Sequence, residues 1–320
     1  MKGATLGVLA GTLLLVSQVF SQAYPSKPIR LIVPYPPGGI DPYARVVGVP
    51  MTADLGQPIV IENRPGANGF IGSEVTARSA PDGYTLAFAT SSTMVAGPFL
   101  SKNVPFDPIK DFTYIAPLFE ALQTLAVRTS LGINSVQELI DYAKKNPGKL
   151  SYNSSGIGSV FHLNGELFKM ATGADIVHVP YGGTGPMAAA FAAGQVEVSF
   201  PGVTNIRPFL PKGELKVLAL LEPKRYAPWP TVPTMAEVIP GFRKAPSWIG
   251  YLGPAGMPKP IIERINASVL KSWNHPEVKK FFDDNGAQFI GSSPEDFLAG
   301  VRKDVEVTGA LVKKIGIQPE

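Results

Sequence analysis

Along most of this 320-residue chain, a short apolar segment is followed by a corner of small residues and then by a helical pattern. The first example is the segment Ile29–Val33, the corner Tyr35-Pro-Pro-Gly-Gly-Ile-Asp41, and a helix whose apolar face includes Val47 and Met51. Short strands that alternate with amphipathic helices are typical of an α/β fold, because each helix covers part of a sheet built from the strands. The order of these units therefore predicts an α/β protein.

The unit recurs with the same small, polar and glycine-rich corners. They are Thr90-Ser-Ser92, Ser154-Ser-Gly-Ile-Gly-Ser159, Tyr181-Gly-Gly-Thr-Gly-Pro186 and Pro201-Gly-Val-Thr204. In open α/β sheets, ligands bind beside the carboxyl ends of the strands. A helix that starts there directs backbone N–H groups and about half a positive charge at the ligand. The corners therefore predict an anion-binding cleft. The alternative is that each corner is an ordinary turn, since Asp41 followed by Pro42 begins a helix well without any ligand.

The N-terminal segment differs from the rest of the chain. Lys2 is its only charge, an apolar stretch follows, and Ser21-Gln-Ala23 has the small-x-small pattern of a cleavage site. We therefore predict a secretory signal peptide at residues 1–23, cleaved after Ala23, and a periplasmic mature protein that begins at Tyr24. A membrane anchor is the alternative, but the apolar stretch is short for a span.

Composition and charge limit the functions that remain. The chain has no cysteine, so neither a thiolate nucleophile nor a cysteine metal site is available. Its formal net charge is +4, and no run of lysine or arginine is interleaved with aromatic residues. We therefore expect no nucleic-acid partner. A mild positive charge fits a small anion better than a phosphate backbone.

An exported enzyme is the main alternative from another functional class. Any imidazole base would have to come from the three histidines, His162, His178 and His275. The sequence contains neither the nucleophile elbow of the α/β-hydrolases nor the zinc motif of metalloproteases. Phe161 stands where a dinucleotide fingerprint that begins at Gly156 needs its third glycine. We therefore expect no catalysis, no metal and no cofactor. His178 is expected to have a structural role, whereas His162 either orients a ligand hydroxyl or serves as a polar core residue.

Several motifs together carry a resemblance to one family. The chain resembles the tripartite tricarboxylate transporter receptors, the Bug family of exported solute-binding proteins, in "PYPPGGIDPYARVV", "LGQPIVIENRPGANGFIGSEVTARSAPDGYTL", "DFTYIA", "SYNSSGIGSVFHLNGELF", "VPYGGTGP" and "AAGQVEVSF". The resemblance runs from about Tyr24 to the C-terminus. It implies an α/β, type II periplasmic binding protein, with two lobes that are joined by crossover strands and close on a ligand in the cleft between them. Residues 24–122 and 248–320 would form lobe 1, and residues 123–247 would form lobe 2.

The resemblance also implies a binding site and a partner. The ligand would be a small organic carboxylate, held by backbone amides, hydroxyls and ordered water instead of an arginine. Its predicted contacts in lobe 1 are Pro37, Gly38, Gly39, Ile40, Asp41, Thr90, Ser91 and Ser92. Its predicted contacts in lobe 2 are Ser155, Gly158, Ser159, His162, Tyr181, Gly183, Thr184 and Pro201. The receptor would be a monomer that delivers the carboxylate to the membrane subunits of a tripartite tricarboxylate-type transporter. Signalling to a membrane sensor kinase is the alternative.

The chain departs from the family pattern near the first helix and in the predicted site. The opening corner has one residue fewer between Gly39 and Asp41 than the family pattern leads us to expect. Gly48 and Pro50 are expected to interrupt the first helix, which is usually continuous. Gly182 stands where a lysine is common, and Pro201 stands where an aspartate is common.

The loss of two polar residues favours a flatter or longer acid. Phe70, Phe161, Tyr181 and Phe200 adjoin the corners and are expected to offer apolar faces to a ring. The ligand expected from these residues is an aromatic mono- or dicarboxylate. The alternative is that the aromatic residues belong to the core and that the missing polar residues were never contacts.

Overall fold

The computed structural model of the protein describes residues 24–319, so the predicted signal peptide, residues 1–23, lies outside the described residues. The strands are β1 Ile29–Val33, β2 Ile59–Asn63, β3 Thr85–Thr90, β4 Phe112–Ala121, β5 Thr124–Arg128, β6 Leu150–Ser154, β7 Ile176–Pro180, β8 Val198–Ser199, β9 Leu215–Leu220, β10 Trp248–Pro254 and β11 Ala287–Phe289. The α-helices are α1 Asp41–Leu55, α2 Phe70–Ala77, α3 Gly97–Leu100, α4 Val136–Lys145, α5 Val160–Thr172, α6 Thr184–Ala192, α7 Val203–Ile206, α8 Met235–Val238, α9 Lys259–Ser272, α10 Pro276–Asp284 and α11 Pro294–Ile315. A π-helical turn, Ser92–Ala96, leads into α3.

The strands form two sheets with the same topology. A six-stranded sheet has the order β11-β4-β10-β3-β1-β2, and a five-stranded sheet has the order β7-β6-β8-β5-β9. The central strands β1 and β6 each pair in parallel with two neighbours. β10 and β5 are antiparallel to the strands on both sides of them. The order β2-β1-β3-β10-β4 in the first sheet is therefore equivalent to the order β7-β6-β8-β5-β9 in the second. In each sheet the fourth strand of this order, β10 or β5, is the one that follows a crossing of the chain from the other sheet. This is the type II periplasmic binding arrangement, and the predicted fold class is confirmed.

Each sheet packs against helices around its own apolar core. Phe88, Phe119 and Tyr251 are completely or almost completely buried in the core of the six-stranded sheet, and Tyr152 and Phe168 in that of the five-stranded sheet. The first sheet takes its strands from residues 29–121 and 248–289, and the second takes its strands from residues 124–220. We call the two units lobe 1 and lobe 2. The lobe boundaries given from the sequence, residues 24–122 and 248–320 for lobe 1 and 123–247 for lobe 2, stay a prediction.

The first helix is more regular than the sequence suggests. α1 passes without a break through Gly48 and Pro50 and ends at Leu55, where Gly56, with a φ of 71°, caps it. The expected interruption is therefore wrong. A proline inside an isolated helix destabilises it by about 3 kcal/mol, but Val47, three residues before Pro50, and Met51, directly after it, are completely buried in the lobe 1 core. Packing of this apolar face outweighs the local preference of the proline.

A buried ion cluster joins the two places where the chain crosses between the lobes. The chain enters lobe 2 between β4 and β5 and returns along residues 221–247. Lys244 Nζ lies 3.0 Å from Glu120 Oε2 and 3.0 Å from Glu222 Oε2. The Gln123 amide donates to Glu222 Oε1 at 2.9 Å. Burial raises the pKa of Glu222 above its ordinary value, although Lys244 and the Gln123 amide act in the opposite direction.

Candidate ligand-binding cleft

The corner between β1 and α1 presents backbone amides to solvent. Gly38 and Gly39 have φ values of 106° and 29°, in the left-handed region that glycine tolerates best. The Asp41 amide closes the turn on Gly38 O at 3.0 Å. Within residues 24–319, the amides of Gly38, Gly39 and Ile40 have no hydrogen-bond acceptor, and the segment from Pro37 to Gly39 is exposed. These residues form an array of donors at the start of a helix, which suits an anion.

Asp41 lies beneath this array and is only 4% exposed. Arg45 Nε and Nη2 donate to its two carboxylate oxygens at 2.8 and 3.1 Å. Burial alone would raise the pKa of Asp41, but the hydrogen bonds from Arg45 and Asn63, together with the charge of Arg45, outweigh it and hold the pKa below its ordinary value. Asp41 is therefore ionised and paired in the first turn of α1, where a negative charge is favourable. Its contact with the ligand stays a prediction.

The hydroxyl groups that follow β3 are not equally available. Thr90 Oγ1 lies 2.9 Å from the Tyr35 hydroxyl, in a buried cluster of hydroxyls. Ser91 Oγ donates to Pro246 O, on the return crossing, at 2.8 Å. Ser92 is partly exposed, its hydroxyl has no partner among the described residues, and it opens the π-helical turn. Such turns are frequent at functional sites. Of these three hydroxyl groups, the one on Ser92 is therefore free to bind a ligand.

The corner between β6 and α5 resembles the first corner in its donors. Ser159 caps α5, accepting the His162 amide at 3.4 Å, and the next amides of the helix have no acceptor inside it. The Gly158 amide donates to His162 Nδ1 at 3.0 Å. Ser155 is partly exposed, and its hydroxyl has no partner in the described part of the chain. Ser155 and the first turn of α5 can therefore receive a carboxylate, whereas His162 is 5% exposed and bonded inward.

The corner between β7 and α6 supplies another helix start. Gly183, with a φ of 136°, turns the chain into α6, and Thr184 is the first residue of that helix. Both residues are partly exposed, and across residues 24–319 the Thr184 hydroxyl has no partner. The Tyr181 hydroxyl donates to Gln195 Oε1 at 3.1 Å. Tyr181 is therefore directed at the loop after α6, while Thr184 keeps a free hydroxyl.

Pro201 is buried beside the crossing into lobe 2. Its carbonyl accepts hydrogen bonds from Thr124 N and Thr124 Oγ1, at 2.8 and 2.9 Å. Because proline has no backbone N–H, Pro201 can offer a ligand only an apolar contact. The structure thus gives this residue a part in fixing β5.

Two of the aromatic residues expected beside the ligand belong to the lobe cores. Phe70 is 4% exposed and packs edge-on against Phe106, with ring centroids 5.6 Å apart. Phe200 is completely buried, and its ring centroid lies 5.6 Å from that of Phe168. The expected apolar lining by Phe70 and Phe200 is therefore wrong. Both rings fill the space between a sheet and its helices, where close packing requires large side chains.

Contacts between the lobes bring the corners together. The Tyr43 hydroxyl, in the first turn of α1, lies 3.4 Å from Thr204 Oγ1 in α7. Leu100 of lobe 1 occupies the space above Gly158, where an added Cβ would lie 2.3 Å from Leu100 Cδ1. A narrow crevice is lined from both lobes and the return crossing by Ser91, Ser92, Val95, Ala96, Val160, Leu163, Pro246 and Thr308. The carboxyl ends of β3 and β6 therefore both lie beside this crevice.

Sequence reasoning missed a buried polar pair behind the lobe 2 corners. Ser199 Oγ donates to Asn153 Oδ1 at 2.6 Å, and Asn153 Nδ2 donates to Met187 O at 2.7 Å. Both side chains are at most 1% exposed. The pair ties β6 to β8 and α6. Polar residues inside otherwise apolar strands are the signal that could have revealed it.

Membrane spans and metal sites were sought in the part of the chain that the structure describes. No helix there is long and apolar enough to cross a bilayer. No group of three or more histidine, aspartate or glutamate side chains converges there as a set of metal ligands.

Two α/β lobes of type II topology, with a crevice between them that is lined by residues of both, are typical of the class of periplasmic solute-binding receptors. Residues 43–317 match the family described as Tripartite tricarboxylate transporter family receptor, and the chain belongs to this family. It is similar to BugT of Bordetella pertussis, with 32% identity over 316 residues that cover 98% of this chain and 97% of that protein. The family resemblance seen in the sequence is confirmed.

Two similar solved structures contain a named acid. R. palustris Rpa4515 with adipate has a TM-score of 0.85 and 32% identity, over 93% of this chain and 100% of that chain. MatC (Rpa3494) from Rhodopseudomonas palustris with bound malate has a TM-score of 0.79 and 30% identity, over 90% of this chain and 100% of that chain.

Proposed function

We propose that the protein is an exported receptor that binds a small aliphatic dicarboxylate between its lobes. We further propose that it delivers this acid to the membrane subunits of a tripartite tricarboxylate-type transporter. The observation that carries the proposal is the array of free amides at Gly38, Gly39 and Ile40, at the start of α1. We propose that this array and the helix starts of lobe 2 face the same ligand. A carboxylate that bridges the lobes would pair with donors on both sides. Arg45, the nearest cation in sequence, is already paired with Asp41.

Neutral donors suffice for a useful affinity. A charge at a helix start is stabilised by about 0.3–1 kcal/mol, and by up to about 2 kcal/mol when partly buried. Each neutral hydrogen bond, such as those available from Ser92, Ser155 and Thr184, adds on the order of 1 kcal/mol. Two or three partly buried helix starts at about 2 kcal/mol each and three hydroxyls at about 1 kcal/mol each sum to about 7–9 kcal/mol, and about 8 kcal/mol corresponds to a micromolar dissociation constant. An arginine clamp is therefore not required.

An aliphatic acid fits the structure better than the aromatic acid expected from the sequence. The argument for an aromatic ligand depends on apolar faces in the cleft, but Phe70 and Phe200 are core residues. The adipate and malate of the two related structures are both aliphatic dicarboxylates. Donors at the corners of both lobes match an acid with a carboxylate at each end.

Titration calorimetry with a panel of acids tests the ligand class. Adipate, malate, succinate, citrate, glutamate, benzoate and phthalate should be compared on the purified mature protein. We expect micromolar binding of at least one aliphatic dicarboxylate and weak or no binding of benzoate and phthalate. Tight binding of an aromatic acid alone would contradict the aliphatic assignment. A complete lack of binding would contradict the carboxylate receptor.

Export, monomeric state and closure are further parts of the proposal. Intact-mass measurement of the periplasmic protein should give a chain that begins at Tyr24. Small-angle scattering should give the dimensions of a monomer that becomes more compact when the acid binds, because the proposed donors are divided between two lobes. Unchanged dimensions would instead indicate a preformed, rigid cleft.

A transporter partner and a sensor kinase predict different phenotypes. Deletion of the gene should abolish uptake of the acid if the receptor feeds a transporter. If uptake persists while acid-dependent transcription is lost, the receptor reports to a kinase instead. Family membership favours the transporter.

A further inference from the structure

Two histidines lie directly beneath the lobe 2 corner between β6 and α5. The rings of His162 and His178 are stacked, with centroids 4.0 Å apart and planes inclined by 16°. Each ring reaches a different part of the corner. His162 Nδ1 accepts the Gly158 amide at 3.0 Å. His178 Nε2 lies 2.7 Å from Ser154 Oγ, which accepts the Gly156 amide at 3.1 Å.

The first of these bonds fixes the protonation state of His162. A backbone N–H can only donate, so Nδ1 must be unprotonated, and the proton of the neutral ring is on Nε2. Burial lowers the pKa of His162. Burial, together with the neighbouring His162, lowers the pKa of His178 to about 4. Both rings are therefore neutral at physiological pH, and the acceptor for the Gly158 amide is always present.

The charged groups around the rings leave this state undisturbed. The Tyr152 ring packs on His178 with centroids 5.0 Å apart, and its hydroxyl donates to Glu166 Oε1 at 2.8 Å. Lys169 Nζ lies 2.8 Å from the same Glu166 oxygen. Glu166 raises and Lys169 lowers the pKa of both histidines, so the two effects oppose each other. Neither charge is free to stabilise an imidazolium ring.

We propose that His162 and His178 are positioning residues, which hold the corner between Ser154 and Ser159 in the shape that binds the ligand carboxylate. They act through the Gly156 and Gly158 amides and do not touch the ligand. This inference rests on the proposed function for what the corner binds, but its hydrogen bonds stand without it. It differs from the prediction that His162 is a ligand contact, because His162 is 5% exposed and its Nδ1 is occupied.

Matched variants of His162 in the mature protein test the inference without a ligand. His162→Asn keeps an acceptor oxygen close to the position of Nδ1, whereas His162→Leu has similar bulk and no acceptor. Hydrogen exchange of the Gly158 amide should be slow in the wild type and in His162→Asn. It should be at least about tenfold faster in His162→Leu. Unchanged exchange of the β6 amides in all three proteins is the control for folding.

Adipate binding, measured by calorimetry, is the second readout. We expect His162→Leu to weaken adipate binding about tenfold, and His162→Asn to restore it to within about threefold of the wild type. The same pattern is expected for His178→Leu and His178→Gln, because glutamine keeps a polar group near the position of Nε2. If the two histidines only filled space, the variants that keep a hydrogen-bonding group would bind adipate no more tightly than the leucine variants.

The two readouts separate this inference from the proposed function. Equal exchange of the Gly158 amide in the wild type, His162→Asn and His162→Leu would overturn the inference. Adipate binding by His162→Leu as tight as that of the wild type would also overturn it. If neither adipate nor any other acid of the panel binds the wild type, the proposed function fails. The exchange rates then still decide whether His162 holds the corner.

Discussion

The geometry of the ion cluster at the lobe crossings lets us predict how much stability the protein loses when the cluster is broken. Lys244→Met keeps most of the apolar stem of the side chain. It removes the ammonium group that lies 3.0 Å from the carboxylates of Glu120 and Glu222. The Glu222 side chain, which is only 3% exposed, then keeps the Gln123 amide as its remaining donor. The substitution therefore leaves a charge buried without its counter-ion.

The expected loss is large for a single substitution. Breaking a buried ion pair by removing one partner destabilises a protein by about 3–5 kcal/mol, because the other charge stays buried. The Glu120 side chain is 32% exposed, so solvent screens its contribution, which is at most about 1 kcal/mol. We expect Lys244→Met to lower the free energy of unfolding by about 3–5 kcal/mol at neutral pH.

The loss should depend on pH because Glu222 can take up a proton. Its folded-state pKa is raised by burial, so the protonated form favours the folded state. That contribution is complete below the pKa of the unfolded chain and is lost as the pH rises through the folded-state pKa. Removal of Lys244 raises the folded-state pKa further, since this cation opposes the effect of burial. The destabilisation should therefore be smaller at about pH 5 than at about pH 7.5.

Urea unfolding, followed by tryptophan fluorescence at both pH values, measures these free energies. Lys259→Met is the matched control, because Lys259 pairs with Glu263 at 3.7 Å and both side chains are mostly exposed. Its effect should be close to zero. Adding Glu222→Gln to Lys244→Met should recover stability at neutral pH. If Lys244→Met loses no more than the control, or loses the same amount at both pH values, the cluster does not stabilise the crossings as argued.

Three further predictions concern the cleft and its surroundings. Gly39→Val should nearly abolish adipate binding, because a β-branched residue does not tolerate a φ of 29° and would turn the corner amides away. If calorimetry shows normal adipate binding by this variant, the corner is only an ordinary turn. Ser159→Ala should lower the free energy of unfolding by about 1 kcal/mol through loss of the α5 cap, whereas Ser155→Ala should weaken adipate binding and leave the urea midpoint unchanged. Burial raises the pKa of Asp304 to about 6, against the hydrogen bond from Trp248, so its stabilising contribution is lost as the pH rises through that value. Asp304→Asn should therefore stabilise the protein by about 1–2 kcal/mol at pH 8 and not at pH 4 in thermal unfolding.

The corners and the helix starts could be predicted from the sequence because they depend on local chemistry. The corner that follows β1 does lead into α1, and the corner that ends at Ser159 does lead into α5. The continuity of α1 could not be predicted from the sequence. The packing of the buried helix face keeps α1 intact, and this packing outweighs the local preference of Pro50. The sequence does predict a strand at β8, but not its short length. Residues 196–200 read as one apolar strand, but only Val198–Ser199 pair in the sheet.

Hydroxyl groups show a second limit of sequence reasoning. The sequence shows that a serine or threonine follows a strand, but it does not show whether the hydroxyl faces a ligand or another part of the protein. Ser91 donates to Pro246, which is 155 residues away in sequence, and Thr90 meets Tyr35 across a separation of 55 residues. No local pattern reveals such partners. The positions of the candidate site residues could therefore be predicted, but the hydroxyls that remain free could not.

Helix α5 links the proposed ligand-binding corner between β6 and α5 to the contact between the lobes. Its first turn carries the free amides behind Ser159, while Leu163, one turn further on, packs in an apolar cluster with Leu100 and Val312 of lobe 1. Because a helix is stiff over such a short distance, a ligand that draws the first turn of α5 toward lobe 1 also shifts this cluster. Ligand binding and lobe packing therefore bias the same element, which is the physical requirement for coupling between them. We therefore expect Leu100→Ala to change the affinity for the acid in calorimetry through the position of α5, and an unchanged affinity would contradict this coupling.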